Sequence, residues 1–213
     1  MEQLLYPAAW LARWSDEVTD AVSSMVSTFE ERYGYEPGAN EVRAADRKDP
    51  VARDADRGFR GFEDLLAFYE VIEEVVLPDV GNGFFLHSAE DVLRRLAEEG
   101  PVHVAGAGDA HGIVIASNGG GILYVAGRGG AIHRSRTASL DDADFDKVAD
   151  SLPQFLDHVR RSVIRFVETG SPATCSVTGR RLSAVVKRAR WPQTLRAGHR
   201  LDVGMTGAHD HLS

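Results

Sequence analysis

The chain has 213 residues, 43% of them hydrophobic and 26% charged, a balance ordinary for a globular protein that buries a core. No run approaches the roughly 18 consecutive apolar residues of a membrane-spanning helix, and the single cysteine, Cys175, excludes an intrachain disulfide. The net charge of −8 is unevenly spread: residues 1–170 carry 17 basic and 30 acidic side chains, whereas 171–213 carry seven basic and two acidic. An acidic body of this kind repels phosphate and attracts basic partners, so direct nucleic-acid binding by residues 1–170 is not expected.

The opening MEQLLYPAAWLARWSDE is apolar but lacks a basic leader region. Trp10 and Trp14 stand four apart, as on a helix face that packs on the domain. Residues 15–33 predict an amphipathic helix with Val18, Val22, Met25, Val26, Phe29 and Tyr33 on its apolar stripe, Ser15 as N-cap and Gly34 as its stop. Glu36–Arg60, with Pro37, Pro50 and dense mixed charge, reads as a long charged loop insertion.

A helical pattern resumes over Phe62–Ile72, and the EEVVLPD that follows is open between a last helical turn and a short strand. Gly83–Leu86 predicts a short strand. Ser88 caps a helix over Ala89–Glu99, which Gly100-Pro101 ends, and Val102–Ala105 predicts another strand.

Three apolar runs, Ile113–Ala116, Ile122–Ala126 and Ala131–His133, are separated by SNGGG and GRGG, which supply the backbone freedom of tight turns. Residues 112–135 therefore predict a three-stranded antiparallel meander. An acidic stretch, SLDDADFDKVADS, leads to a final helix with Leu152, Phe155, Leu156, Val159, Val163, Phe166 and Val167 facing inward and Gly170 as its stop. Residues 171–213 show no sustained period and read as a basic, poorly ordered extension of a domain spanning 1–170. The fold class this implies is α+β: a mostly antiparallel sheet packed against flanking helices.

Chemistry-bearing motifs are thin. Gly106, Gly108 and Gly112 form GxGxxxG ahead of a β-rich run, with no helix N-terminus to hold a pyrophosphate. His87, His103, His111, His133 and His158 are scattered singly; Asp109-x-His111 could share one face of an extended segment, but nothing adjacent in sequence completes a metal shell. His209 and His211 lie in the terminal stretch. No nucleophile elbow occurs, and Cys175 has no activating neighbour in sequence. The paired carboxylates Glu73-Glu74, Glu98-Glu99 and Asp141-Asp142 suit solvated faces. The expectation is a non-enzyme with no catalytic residues, cofactor or metal. The stretch RRLSAVVKRARW could lie on an anionic surface or on the protein's own acidic body.

Three strings, FYEVIEEVVLPDVGNGFFLHSAEDVLRRL (68–96), IVIASNGGGILYVAGRGGAIHRS (113–135) and SLPQFLDHV (151–159), in this order of elements, resemble the SMI1/KNR4 proteins of the SUKH superfamily. The charged segment 36–60 and the basic extension depart from that pattern. The resemblance implies a binding protein, and the lone cysteine points to a reducing, cytoplasmic location. Bacterial members of the family are immunity proteins that block a toxin, often a nuclease or deaminase, and eukaryotic relatives are regulatory scaffolds. The partner so implied is a basic toxin domain, with the scaffold role as the alternative. The densest acidic run, Asp141, Asp142, Asp144 and Asp146, is the candidate for part of the contact surface.

Overall fold

The computed structural model describes residues 7–46, 58–105, 107, 110–139 and 144–170. Helix α1 (Ala8–Ser27) starts two turns before the predicted cap, from an extended Pro7, and runs through Ser15. Leu11, Trp14, Val18, Val22 and Met25 hold a single buried stripe, so the sequence has no reason to break there. It breaks instead at Thr28 (φ −120°) and restarts as α2 (Phe29–Tyr33), which Gly34 ends in the left-handed region at φ 79°. Residues 15–33 are thus the end of one helix plus a short second one, not a single helix.

The segment expected to be a loop over 36–60 contains β1 (Glu41–Ala44), which pairs antiparallel with β2 (Ile72–Leu77) at the sheet edge. Its side chains are almost all exposed, so it carries no alternation of apolar residues. Backbone pairing holds it, aided by ion pairs from Arg43 to Glu41 and Glu74. Its approach is fixed by Asp79, whose carboxylate accepts from Gly38 N (2.7 Å) and Asn40 Nδ2 (2.6 Å). Phe59, assigned by sequence to the same loop, is fully buried with its ring stacked 5.2 Å from Tyr69. Residues 47–57 of this segment lie outside the described residues.

Helix α3 (Glu63–Tyr69) is shorter than its sequence pattern, because Ile72 already belongs to β2 and EEVVL is strand. Next come β3 (Phe84–Leu86), α4 (Ala89–Glu99) and β4 (Val102–His103). Ser88 Oγ accepts from Asp91 N, as its capping role requires. Strands β3 and β4 pair with opposite ends of β5 (His111–Ser117), so α4 links two short strands that share one edge.

The meander is β5, β6 (Leu123–Gly127) and β7 (Ile132–Ser135), as predicted. The glycines of its first turn are not equivalent. Only Gly121 adopts a positive φ (80°). Gly119 is needed for space: its N–H donates to Asn82 O at 2.8 Å, and a Cβ there would collide with that carbonyl. Asn118 Oδ1 closes the turn by accepting from Gly120 N (3.0 Å) and Ile122 N (2.9 Å).

Within the acidic stretch, Phe145–Ala149 forms β8, paired antiparallel with β7. Helix α5 (Leu152–Thr169) closes the fold, capped by Ser151 and ended by Gly170 at φ 65°. Eight described strands make one antiparallel sheet in the order β1-β2-β3-β5-β6-β7-β8, with β4 beside β5. The main core joins one sheet face (Val75, Leu77, Ile113, Ile115, Ala126, Ile132) to α1, α3, α4 and α5. Val104, Val114, Leu123 and Val125 form a smaller cluster from the alternate strand positions. Trp14 ties α1 to α5 by donating from Nε1 to Leu156 O at 2.7 Å inside the core. Among the described residues no helix is long and apolar enough to cross a membrane. Residues 171–213 lie outside the described residues.

Candidate functional site

Of the four aspartates singled out by sequence, Asp141 and Asp142 lie outside the described residues. Asp144 precedes β8, and Asp146 lies on it, opposite Arg134 of β7. Both carboxylates are held by Arg136, at 3.3 Å to Asp144 Oδ2 and 2.7 Å to Asp146 Oδ1. The hydrogen bond from Arg136 holds the Asp146 carboxyl below the usual carboxylate range. Arg136 therefore answers part of the charge of Asp144 and Asp146.

Other acids form no ion pair with a described residue, among them Glu63, Glu70, Glu73, Glu90 and Glu168. The described residues include 23 acidic and 13 basic side chains. Asp150 pairs with Lys147, Glu17 and Asp157 with Arg160, and Asp91, Glu98 and Glu99 with Arg94 and Arg95. On α1, α2 and the turn after them, by contrast, Asp16, Asp20, Glu30, Glu31 and Glu36 form no ion pair with a described residue.

The end of α2 also presents aromatic rings to solvent. Tyr35 is 58% exposed and Tyr33 36%, the exposed large hydrophobic side chains among the described residues. Phe29, buried at 2%, is the fixed base: its ring centroid is 4.6 Å from Tyr33 and 5.2 Å, edge-on, from Tyr35. Arg32 lies over the Tyr33 ring at 5.5 Å. Sequence periodicity places Tyr33 on the apolar stripe of one long helix, but the break at Thr28 re-aims the following residues and brings Tyr33 to the surface. The signal missed by sequence was the succession FEERYGYE, two tyrosines around a helix-ending glycine with acids on both sides.

A cavity of about 150 Å³ opens between the start of α3 and the β6–β7 turn, lined by Gly61, Phe62, Asp64, Arg128, Ile132 and Leu152 among others. Burial pushes the Asp64 carboxyl above its usual range, and neighbouring Glu63 adds to the shift. The described lining holds no histidine, cysteine, serine or lysine to act with Asp64.

The other sequence candidates resolve individually. Gly112 is a buried residue within β5, where a Cβ would press on Val125, so it serves strand packing. Gly106, Gly108, Asp109, Cys175, His209 and His211 lie outside the described residues. His87 is partly buried and His133 buried, and burial lowers both imidazole pKa values, aided at His133 by Lys147. Glu74 is engaged by Arg43. Among the described residues no group of three or more His, Cys, Asp or Glu could hold a metal ion. No protein-family model matches the chain, and no curated protein matches it.

Proposed function

We propose that this chain is a non-enzymatic binding protein that docks a basic protein partner on the surface around the end of α2. The observation that carries the reading is the succession of Tyr33 and Tyr35, anchored on buried Phe29, with Glu30, Glu31 and Glu36, whose carboxylates form no ion pair with a described residue. Rigid aromatic rings supply contact area at little entropic cost and dominate interface energetics. Unpaired acids around them speed and orient the approach of a cationic surface. This chemistry suits the role implied by the SUKH resemblance, an immunity protein that neutralises a toxin by direct contact. On this reading the acidic run Asp141, Asp142, Asp144 and Asp146 is a secondary contact, with the charge of Asp144 and Asp146 partly answered by Arg136.

The test is co-expression with the product of a toxin-like reading frame adjacent to this gene. Protection of the host, lost in Tyr33→Ala/Tyr35→Ala and only weakened when Asp141, Asp142, Asp144 and Asp146 are reversed to Lys, supports the reading. Death of cells that carry both intact proteins removes the immunity role for that pair. An isolated gene with no such neighbour favours the regulatory scaffold instead.

A further inference from the structure

The fold brings together two histidines that are eight residues apart in sequence. His103 on β4 and His111 on β5 are direct cross-strand partners, and both are exposed. In the same register Val104 N donates to Ala110 O at 2.7 Å, so Val104 and Ala110 form a hydrogen-bonded pair. Pairs alternate along an antiparallel ladder, which makes His103 and His111 a non-hydrogen-bonded pair, the class whose Cα atoms are only about 4.5 Å apart. Side chains of such a pair leave the same face of the sheet with Cβ atoms roughly 4.5–5.5 Å apart.

That face is defined by alternation. Val102, Val104 and Val114 pack into the smaller cluster, whereas Ile113, two residues after His111, belongs to the main core. The two imidazoles therefore stand on the helix-bearing face, beyond the C-terminal end of α4, on strands whose pairing fixes their separation. Two ring nitrogens each about 2.0–2.1 Å from one ion are within reach of this spacing.

We propose that His103 and His111 form a two-histidine site for a divalent transition metal of the kind imidazole prefers, Zn²⁺, Ni²⁺ or Cu²⁺. Among the described residues no third protein ligand completes the site, which leaves coordination positions open to water or to a donor from a docked partner. Because the ligands come from both strands, bound metal would also fasten the two-residue β4 to β5. The site is separate from the α2 surface and does not depend on the binding role proposed above.

The probe is the metal ion alone, added to the chelator-treated full chain. A His209→Ala/His211→Ala background removes the terminal histidine pair as a competing ligand. In that background calorimetry is expected to show one Zn²⁺ or Ni²⁺ per chain, and His103→Gln and His111→Gln should each weaken affinity at least tenfold. Electron paramagnetic resonance of bound Cu²⁺ should report two imidazole nitrogens, falling to one in each single variant. A measurement free of substitutions guards against misfolding: substoichiometric Cu²⁺ should broaden the imidazole NMR signals of His103 and His111 in the unaltered protein and spare His87, His133 and His158. Affinity unchanged in both Gln variants, or broadening confined to His209 and His211, overturns the proposal.

Discussion

Replacing Trp14 by Phe tests how the helical layer is fastened. The indole is 2% exposed, and its Nε1 donates to Leu156 O at 2.7 Å, joining residues 142 positions apart. Phe keeps a ring in the α1–α5 seam but removes the donor, a loss of about 1–1.5 kcal/mol for one net hydrogen bond. The smaller ring also forfeits burial of roughly 40 Å², about 1 kcal/mol more. The sum, about 2–3 kcal/mol, should lower Tm by about 5–10 °C for a domain of this size. Thermal and urea unfolding followed by circular dichroism would measure it, with the denaturant slope unchanged. A Tm within 1 °C of the parent would refute the view that this contact fastens α1 to α5. Tyr35→Ala is the matched control: a mostly exposed ring should change stability by no more than about 0.5 kcal/mol.

Gly119→Ala should destabilise by about 1–3 kcal/mol, because its Cβ meets the Asn82 carbonyl and the β2–β3 and β5–β6 turns must part; equal stability in denaturant titration would contradict this. Ser135→Ala removes a buried hydroxyl that accepts from Leu123 N (3.0 Å) and donates to Thr137 O (2.7 Å), and stability should fall by about 1–3 kcal/mol in the same assay. His87, with Asp91 and Arg95 nearby, and His133, beside Lys147, both have lowered folded-state pKa values, so between those values and about 6.5 the unfolded chain binds more protons. Stability should therefore fall as pH drops from 6.5 until the folded-state imidazoles protonate. His87→Gln/His133→Gln should flatten that slope, and an unchanged slope would show that other groups set it.

The meander, α4 and α5 were legible because each satisfies local and global demands with the same residues. Ser88 and Ser151 cap where sequence places them or beside an evident stripe, and Leu152, Phe155, Leu156 and Val159 are all buried. Strand β1 was not legible, since a mostly exposed edge strand leaves no hydrophobic rhythm and its pairing depends on β2, some thirty residues later. Strand β8 was hidden for a related reason. Its Asp146 and Lys147 suggest a solvated linker, while its place in the sheet comes from backbone pairing with β7 and burial of Ala149. The site was harder still. Acidic composition was plain, but which acids Arg136 answers is a matter of cross-strand register. The surface position of Tyr33 depends on one residue, Thr28, that interrupts an otherwise continuous stripe. The His103–His111 pair is likewise a product of register, with no recognisable spacing in the chain.

The claim that the aromatic patch at the end of α2, with its neighbouring acids, docks a basic partner is tested most directly by one titration. The purified chain and its Glu30→Lys/Glu31→Lys/Glu36→Lys variant are titrated, over a range of salt, against the purified product of the adjacent toxin-like reading frame. The account predicts tight binding by the parent that weakens with salt, and a variant that binds at least tenfold more weakly with a flattened salt dependence. Equal affinity and equal salt dependence for the two proteins would contradict it.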